Sequence, residues 1–299
     1  MDQSLPATGE APLPDGAGAE LLRVFLVSTL VPVAGPLIER LRQLGHQPVA
    51  WLAPRRRPQW PTPPFPNTND EVAPPGLDVL LVNGTAMLEP LVRPYRPDLL
   101  LCWAFPWKIP LTALETPRLG SINLHPGLLP RHRGPVPLAW ALRDGDPHFG
   151  VTWNRMDAEF DTGPILAQAT VPIEDDDCTI DDVAPKLVAT ALDLLPAVLA
   201  RVSAGDRGEP QTAEGASWAG HFGEDYATID LARPAPYVHD QVRAWHFTFG
   251  LAPLPGPILA LNGKRVRVLR TSLRDPGGDA WRVEAGDGPL WIVESEQTG

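Results

Sequence analysis

Short apolar runs constrain this chain more than any other feature: Leu21–Thr29, Pro48–Leu52, Leu77–Val82, Leu99–Trp103 and Leu119–Leu124. A strand with one face in water alternates apolar and polar residues. A nearly continuous apolar run instead reads as a strand covered on both faces, which is how parallel sheets are built. Between the first two runs, Val33–Leu44 carries apolar residues at helical spacing and stops at Gly45, a residue that ends helices without steric cost. Strand, helix, strand is the opening of a parallel α/β sheet.

The prolines, 37 in all, punctuate the rest of the chain. Ala53–Pro66, with Arg55, Arg56 and Arg57 among prolines, is predicted to be a loop. A helix is predicted over Val136–Arg143, then strands Gly150–Arg155 and Pro164–Pro172 around a turn. Thr179 opens another helix, with Asp182 three residues on as a capping box and an apolar face through Val183, Leu187, Ala191, Leu194 and Leu195. Residues 203–223 lose apolar periodicity and read as a linker. Residues 224–299 open with a helix over Pro236–Phe247. Strands are then predicted at Ile258–Leu261, Lys264–Leu269, Ala280–Val283 and Pro289–Val293, separated by Asn262-Gly263 and other Gly-rich turns. That spacing suggests a small β-barrel-like domain. The organisation expected is a tail over 1–20, an α/β catalytic domain over 21–202, the linker, and a small domain over 224–299.

Composition narrows the function classes. A formal net charge of −11 and a pI near 5.1 are poor footing for long-range steering of nucleic acid. Cys102 and Cys178 are the only cysteines, too few for a disulfide framework, and fit a reducing cytoplasm. No run of 18 apolar residues suggests a membrane span, and the N-terminus lacks the basic start and apolar stretch of a signal peptide. No sequence feature addresses assembly, and no residue grouping suggests a metal site.

Two clusters carry chemistry. In Ser121-Ile122-Asn123-Leu124-His125-Pro126-Gly127, Asn123 and His125 stand two apart at the end of an apolar strand. Alternation puts both on one face, where open α/β sheets place their ligands. In Met156-Asp157-Ala158-Glu159-Phe160-Asp161-Thr162-Gly163, Asp161 falls in the turn between two strands. Alone, Asn-x-His also describes a turn beside a capped histidine, and Asp before Thr-Gly an Asx-type turn.

Together, Asn-Leu-His-Pro-Gly-Leu-Leu-Pro-Arg-His-Arg-Gly at 123–134 and Gly-Val-Thr-x-x-x-Met-Asp-x-x-x-Asp-Thr-Gly at 150–163 resemble the 10-formyltetrahydrofolate-dependent formyltransferase family. That family includes methionyl-tRNA formyltransferases, small-molecule N-formyltransferases and a formyltetrahydrofolate hydrolase domain. The resemblance spans about 21–295 and implies a Rossmann-like catalytic domain with a small C-terminal OB-like barrel. It implies that Asn123, His125 and Asp161 are catalytic and that 10-formyltetrahydrofolate is the co-substrate. It places the pterin against Phe105, Trp107, Ile109, Met156, Asp157 and Phe160. Arg131, Arg133 and Asn154 are the candidate acceptor contacts.

The acceptor reads as the primary amine or hydroxylamine of a small molecule: an amino sugar, an amino acid derivative or a secondary-metabolite precursor. The tRNA enzymes' Gly-rich basic loop is replaced by Arg55–Arg57 among prolines, and their Gly-Thr-Pro after the first strand by Ser28-Thr29-Leu30. Residues 224–299 hold 10 acidic and 8 basic residues, a net of −2, weak attraction for tRNA. At position 154, where some small-molecule members have histidine, this chain has Asn154. The alternatives are a methionyl-tRNA formyltransferase, a formyltetrahydrofolate hydrolase, and a folate-binding relative without turnover.

Overall fold

In the computed structural model, residues 20–29, 31–55, 74–248, 256–261 and 264–297 are described. Residues 1–19 of the expected tail, Leu30, residues 56–66 of the predicted loop with Arg56 and Arg57, and the Asn262-Gly263 turn lie outside them; Ala53 and Pro54, expected in that loop, end a strand instead.

The apolar runs become a sheet. Its strands are β1 (Arg23–Ser28), β2 (Gln47–Pro54), β3 (Asp78–Val82), β4 (Leu99–Trp103), β5 (Ser121–His125), β6 (His148–Arg155) and β7 (Ile165–Pro172), in spatial order β3-β2-β1-β4-β5-β6-β7. The first five run parallel; β6 pairs antiparallel with β5, and β7 with β6. The helices are α1 (Val31–Gln43), α2 (Leu88–Val92), α3 (Leu111–Leu114), α4 (Pro137–Asp144) and α5 (Ile180–Ser203). The short α2 and α3 carry no pattern long enough to predict.

Both faces of the sheet are covered, which explains the continuous runs. Val24, Leu26, Trp51, Leu101, Leu124 and Trp153 join the apolar sides of α1, α4 and α5 in one core. Phe25, Val27, Leu52, Leu100 and Cys102 meet Leu88, Val92, Ala113 and Leu114 of α2 and α3 in another. Helix α5 opens as predicted, with the Asp182 carboxylate accepting from the Thr179 N–H at 2.8 Å. By length and composition alone this helix could cross a bilayer. Here Val183, Leu187, Ala191, Leu195, Val198 and Val202 are instead buried in the first core.

Beyond it, α6 (Ala235–His246) precedes a curled antiparallel sheet of β8 (Ile258–Leu261), β9 (Lys264–Ser272), β10 (Trp281–Ala285) and β11 (Gly288–Gln297), ordered β10-β11-β9-β8. Ala235, Val238 and Val242 of α6 pack on Leu259, Val268, Leu290 and Ile292. Ala244 and Trp245, one turn on, belong to the first core. Thus α6 cements the small sheet to the large one. The segment expected as a linker is laid down on the first core: Phe222 is buried there, Glu209 bridges to Ile165, and Trp218 bridges to Arg133.

A buried histidine ties the two parts together. His239 of α6 donates from Nε2 to the Asp175 carbonyl at 3.0 Å, so its Nδ1 accepts from Thr271 Oγ1 at 2.8 Å. Burial, then the nearby Arg243 guanidinium, push its pKa below the usual imidazole value. The folded state therefore favours the neutral ring. This contribution is complete above the unfolded value of about 6.5 and is lost as pH falls toward the lower folded value. Thermal midpoints should fall between neutral and mildly acidic pH, and His239→Gln should flatten that dependence.

Candidate active site

Strand register lays out the site. Cys102 of β4, Asn123 of β5 and Asn154 of β6 form one row across the sheet, with His125 and Thr152 two residues further along. Cys102 closes the apolar cluster under α2 and α3, and the polar row begins beside it. The chain then leaves β5 at its carboxyl end, so Asn123 and His125 sit where a parallel sheet opens to ligand.

The Asp161 carboxylate gathers these groups. Its Oδ1 accepts from Asn123 Nδ2 at 3.2 Å, and its Oδ2 accepts from the Gly134 N–H at 2.9 Å. His125 Nδ1 stands 3.6 Å from the same Oδ2, beyond hydrogen-bond length. The other ring nitrogen, Nε2, lies 2.8 Å from the His132 carbonyl oxygen. A carbonyl only accepts, so Nε2 carries a proton, and in that tautomer the lone pair lies on Nδ1, toward Asp161. His125 is almost wholly buried, at 3% exposure.

This geometry comes with strained backbone. Ala104, His132 and Asp161 all adopt left-handed φ angles of 52°, 57° and 56°, a conformation that costs non-glycine residues energy and gathers at functional sites. Gln211 steadies the Asp161 turn by donating Nε2 to the carbonyls of Asp161 and Gly163, at 2.8 and 2.7 Å. Two glycines are obligatory by close approach. A Cβ on Gly150 would lie 2.2 Å from the Leu128 nitrogen, and one on Gly163 would lie 2.0 Å from the Arg155 oxygen. Thr152 Oγ1 donates to the Gly127 carbonyl at 2.5 Å and accepts from Gln168 Nε2 at 2.9 Å. These bonds fasten the loop after β5 to the sheet.

The other predicted residues divide. Phe105, Trp107, Ile109 and Met156 come together at the edge of the second core, with the Phe105 and Trp107 rings in edge contact at 5.5 Å. Phe160 is not in that group; it is 45% exposed, beside Trp218. The Asp157 carboxylate accepts from Thr162 Oγ1 at 2.7 Å and the Glu159 N–H at 3.0 Å, closing its own turn. Arg131 is engaged by Asp144 and Asp146, and Arg133 donates to Gln211 Oε1, so both guanidiniums brace loops in this state. Asn154 is buried beside Asn123. It donates Nδ2 to the Arg155 carbonyl, and its Oδ1 has no partner among the described residues.

Sequence reading missed Thr152, Gln168, Gln211 and Trp218. Thr152 stands inside the Gly-Val-Thr motif and could have been found there. Gln211 and Trp218 lie in the segment without periodicity, which gave no signal.

The profile of the formyl transferase family matches residues 83–199, a span that holds Asn123, His125 and Asp161. Methionyl-tRNA formyltransferase of Myxococcus xanthus is 31% identical over 260 residues, covering 80% of this chain and 81% of its own. That of Paracoccus denitrificans is 35% identical over 214 residues, covering 68% and 67%. Among solved structures, HypX from Aquifex aeolicus superposes with a TM-score of 0.67 at 19% identity over 94% of this chain, which spans 46% of HypX. A sugar N-formyltransferase from a Shewanella species gives 0.60 at 20% identity, covering 85% of this chain and 99% of that one. Fold and site define a group-transfer enzyme built on a Rossmann-like sheet. The chain belongs to the formyltransferase family, whose members transfer formyl groups.

The packing sets two expectations. Gly150→Ala should lower stability by about 1–3 kcal/mol or more in urea unfolding, because the loop after β5 must shift. Burial, with the Asp161 charge adding to it, pushes the Cys102 thiol up to about 12. Cys102 should therefore resist iodoacetamide at pH 8 in the native protein and react on denaturation, as read by mass spectrometry. In the same sense, stability should hold below the ordinary thiol value of 9.0 and fall above it, where only the unfolded chain ionises.

Proposed function

We propose that this chain transfers the formyl group of 10-formyltetrahydrofolate to the primary amine, or hydroxylamine, of a small molecule. Formyl-group transfer and the folate donor are properties of the family; the small acceptor is the further step. The observation that carries the reading is the convergence of Asn123 and His125 on the Asp161 carboxylate at the end of β5.

The residues present fit the donor. The half-buried Phe105 and Trp107 rings, with Ile109 and Met156, make an apolar edge suited to a flat bicyclic ring, next to the polar row. When bound, the folate supplies the formyl carbonyl and the nitrogen that leaves.

The chain's own groups then have distinct tasks. One N–H of Asn123 Nδ2 goes to Asp161, and the second remains for an oxygen that gains negative charge as the amine adds. His125, its Nε2–H held by the His132 carbonyl, offers Nδ1 as a proton acceptor for the amine and can return that proton to the leaving nitrogen. Asp161 steadies the imidazolium that forms, from 3.6 Å. Asn154, whose buried Oδ1 has no partner among the described residues, has capacity to accept one N–H from the acceptor.

A tRNA acceptor is the second reading. The similarity to methionyl-tRNA formyltransferases favours it, as do Arg265, Arg267 and Arg270 on β9. Against it stand the net charge of −11 and the excess of acid over base in 224–299.

The test is release of tetrahydrofolate from 10-formyltetrahydrofolate without acceptor, with a panel of amines, and with charged initiator tRNA. Turnover with amines is expected. Turnover with tRNA alone would overturn the small-acceptor reading, and release without any acceptor would indicate a hydrolase. In the same assay Asn123→Ala should lower kcat by about 10²–10³-fold. His125→Ala should abolish turnover without unfolding the protein, as checked by circular dichroism.

A further inference from the structure

Phe160 and Trp218 are among the few large apolar side chains left in the open, at 45% and 53% exposure. They come from segments far apart in sequence, yet their rings meet at 6.5 Å between centroids. Each is one step from the catalytic carboxylate. Phe160 immediately precedes Asp161 in the chain. The Trp218 indole lies against Gly134: a Cβ there would stand 3.1 Å from its ring carbons. Gly134 is the residue whose N–H donates to Asp161 Oδ2 at 2.9 Å.

The tryptophan is set in place. Its neighbours Ser217 and Ala219 exchange backbone hydrogen bonds with Arg133, through Ser217 O at 3.0 Å and Ala219 N at 2.6 Å. Ser217 Oγ also accepts from the His132 N–H at 2.9 Å. The indole is therefore fixed to the loop that carries the carbonyl oriented on His125. A polar rim adjoins the pair: the Lys108 ammonium lies 6.0 Å from the Phe160 centroid and pairs with Glu159 at 3.2 Å. Neither ring belongs to the Phe105, Trp107, Ile109 and Met156 group that packs on the second core.

Fixed aromatic surface facing water is costly unless something covers it, and a rigid indole loses little entropy on binding. From this arrangement we infer that Phe160 and Trp218 form the acceptor subsite, and that it takes a small amine carried on a ring with one apolar face. An aromatic ring and the C–H face of a pyranose share that chemistry. The ring covers the ledge while its amine reaches the Asp161–His125 pair. The inference rests on the small-acceptor reading and deepens it by naming the acceptor's shape.

The test compares benzylamine, glucosamine and ethanolamine as acceptors with saturating 10-formyltetrahydrofolate. It uses wild type, Phe160→Ala, Trp218→Ala, Trp218→Phe and, as a control, Trp281→Ala, which removes an exposed tryptophan on β10. Ring-bearing amines should be preferred over ethanolamine. Trp218→Ala should raise KM for them by about ten-fold with little change in kcat, the size expected when stacking is lost. Phe160→Ala should act in the same direction, Trp218→Phe should restore most of the loss, and Trp281→Ala should match wild type. KM for ethanolamine should not respond to any of these changes. Preference between benzylamine and glucosamine tells the two ring sources apart. Equal KM values for the ring amines in wild type and Trp218→Ala, with transfer intact, would overturn the ledge alone. Transfer to none of the amines would overturn the small-acceptor reading, and the ledge with it.

Discussion

The site depends on one carboxylate. Asp161 receives an amide N–H from β5 and a backbone N–H from the loop after it, and it faces the imidazole between them. Neither contact is local: Asn123 is 38 residues away and Gly134 27. The carboxylate therefore acts as a clamp, joining the end of β5, the loop after it and the β6–β7 turn. Left-handed backbone is tolerated at Asp161 because these hydrogen bonds fix its side chain, and at His132 because its N–H donates to Ser217 and its carbonyl accepts from His125.

The scaffold makes that clamp possible by changing character across one row. On β4 the row position is Cys102, buried in hydrocarbon with its thiol held protonated. On β5 and β6 it is Asn123 and Asn154. The helices α2 and α3 cover the first part of this face. The loops 126–134 and 156–164 meet over the other part, where Gly134 and Asp161 join Asn123. Antiparallel β6 matters here: it ends beside the start of β5, with the Met156 N–H on the Ser121 carbonyl, so the turn that follows must fold back for the Asp161 carboxylate to reach Asn123 and Gly134.

Much of this was legible in the sequence, for identifiable reasons. Continuous apolar runs forecast covered strands, Gly45 and Thr179 marked helix ends, and Asn123-x-His125 gave two side chains on one face by alternation. Each signal is local, with a period or a cap that a short window contains. What escaped was long-range. Gln211 reaches Asp161 across 50 residues from a segment without periodicity, and the bracing of Arg133 by the same glutamine depends on that approach. Arginines in a loop looked free until the fold supplied Asp144, Asp146 and Gln211 as partners. The motif glycines were visible as letters, but the reason for them is another strand or loop lying within about a van der Waals radius.

The segment 203–223 shows how absence of pattern misleads. A stretch with no apolar period has no face of its own to bury, so it reads as a tether. Here it serves as a strap. Glu209 pairs with Ile165, Gln211 holds the Asp161 turn, Ser217 holds His132, and Phe222 plugs the first core. Such a strap needs only scattered contacts, each dictated by a different partner, and scattered contacts leave no periodic trace. It also couples the two parts of the molecule: the strap that shapes the turn at Asp161 leads directly into α6 and the small sheet.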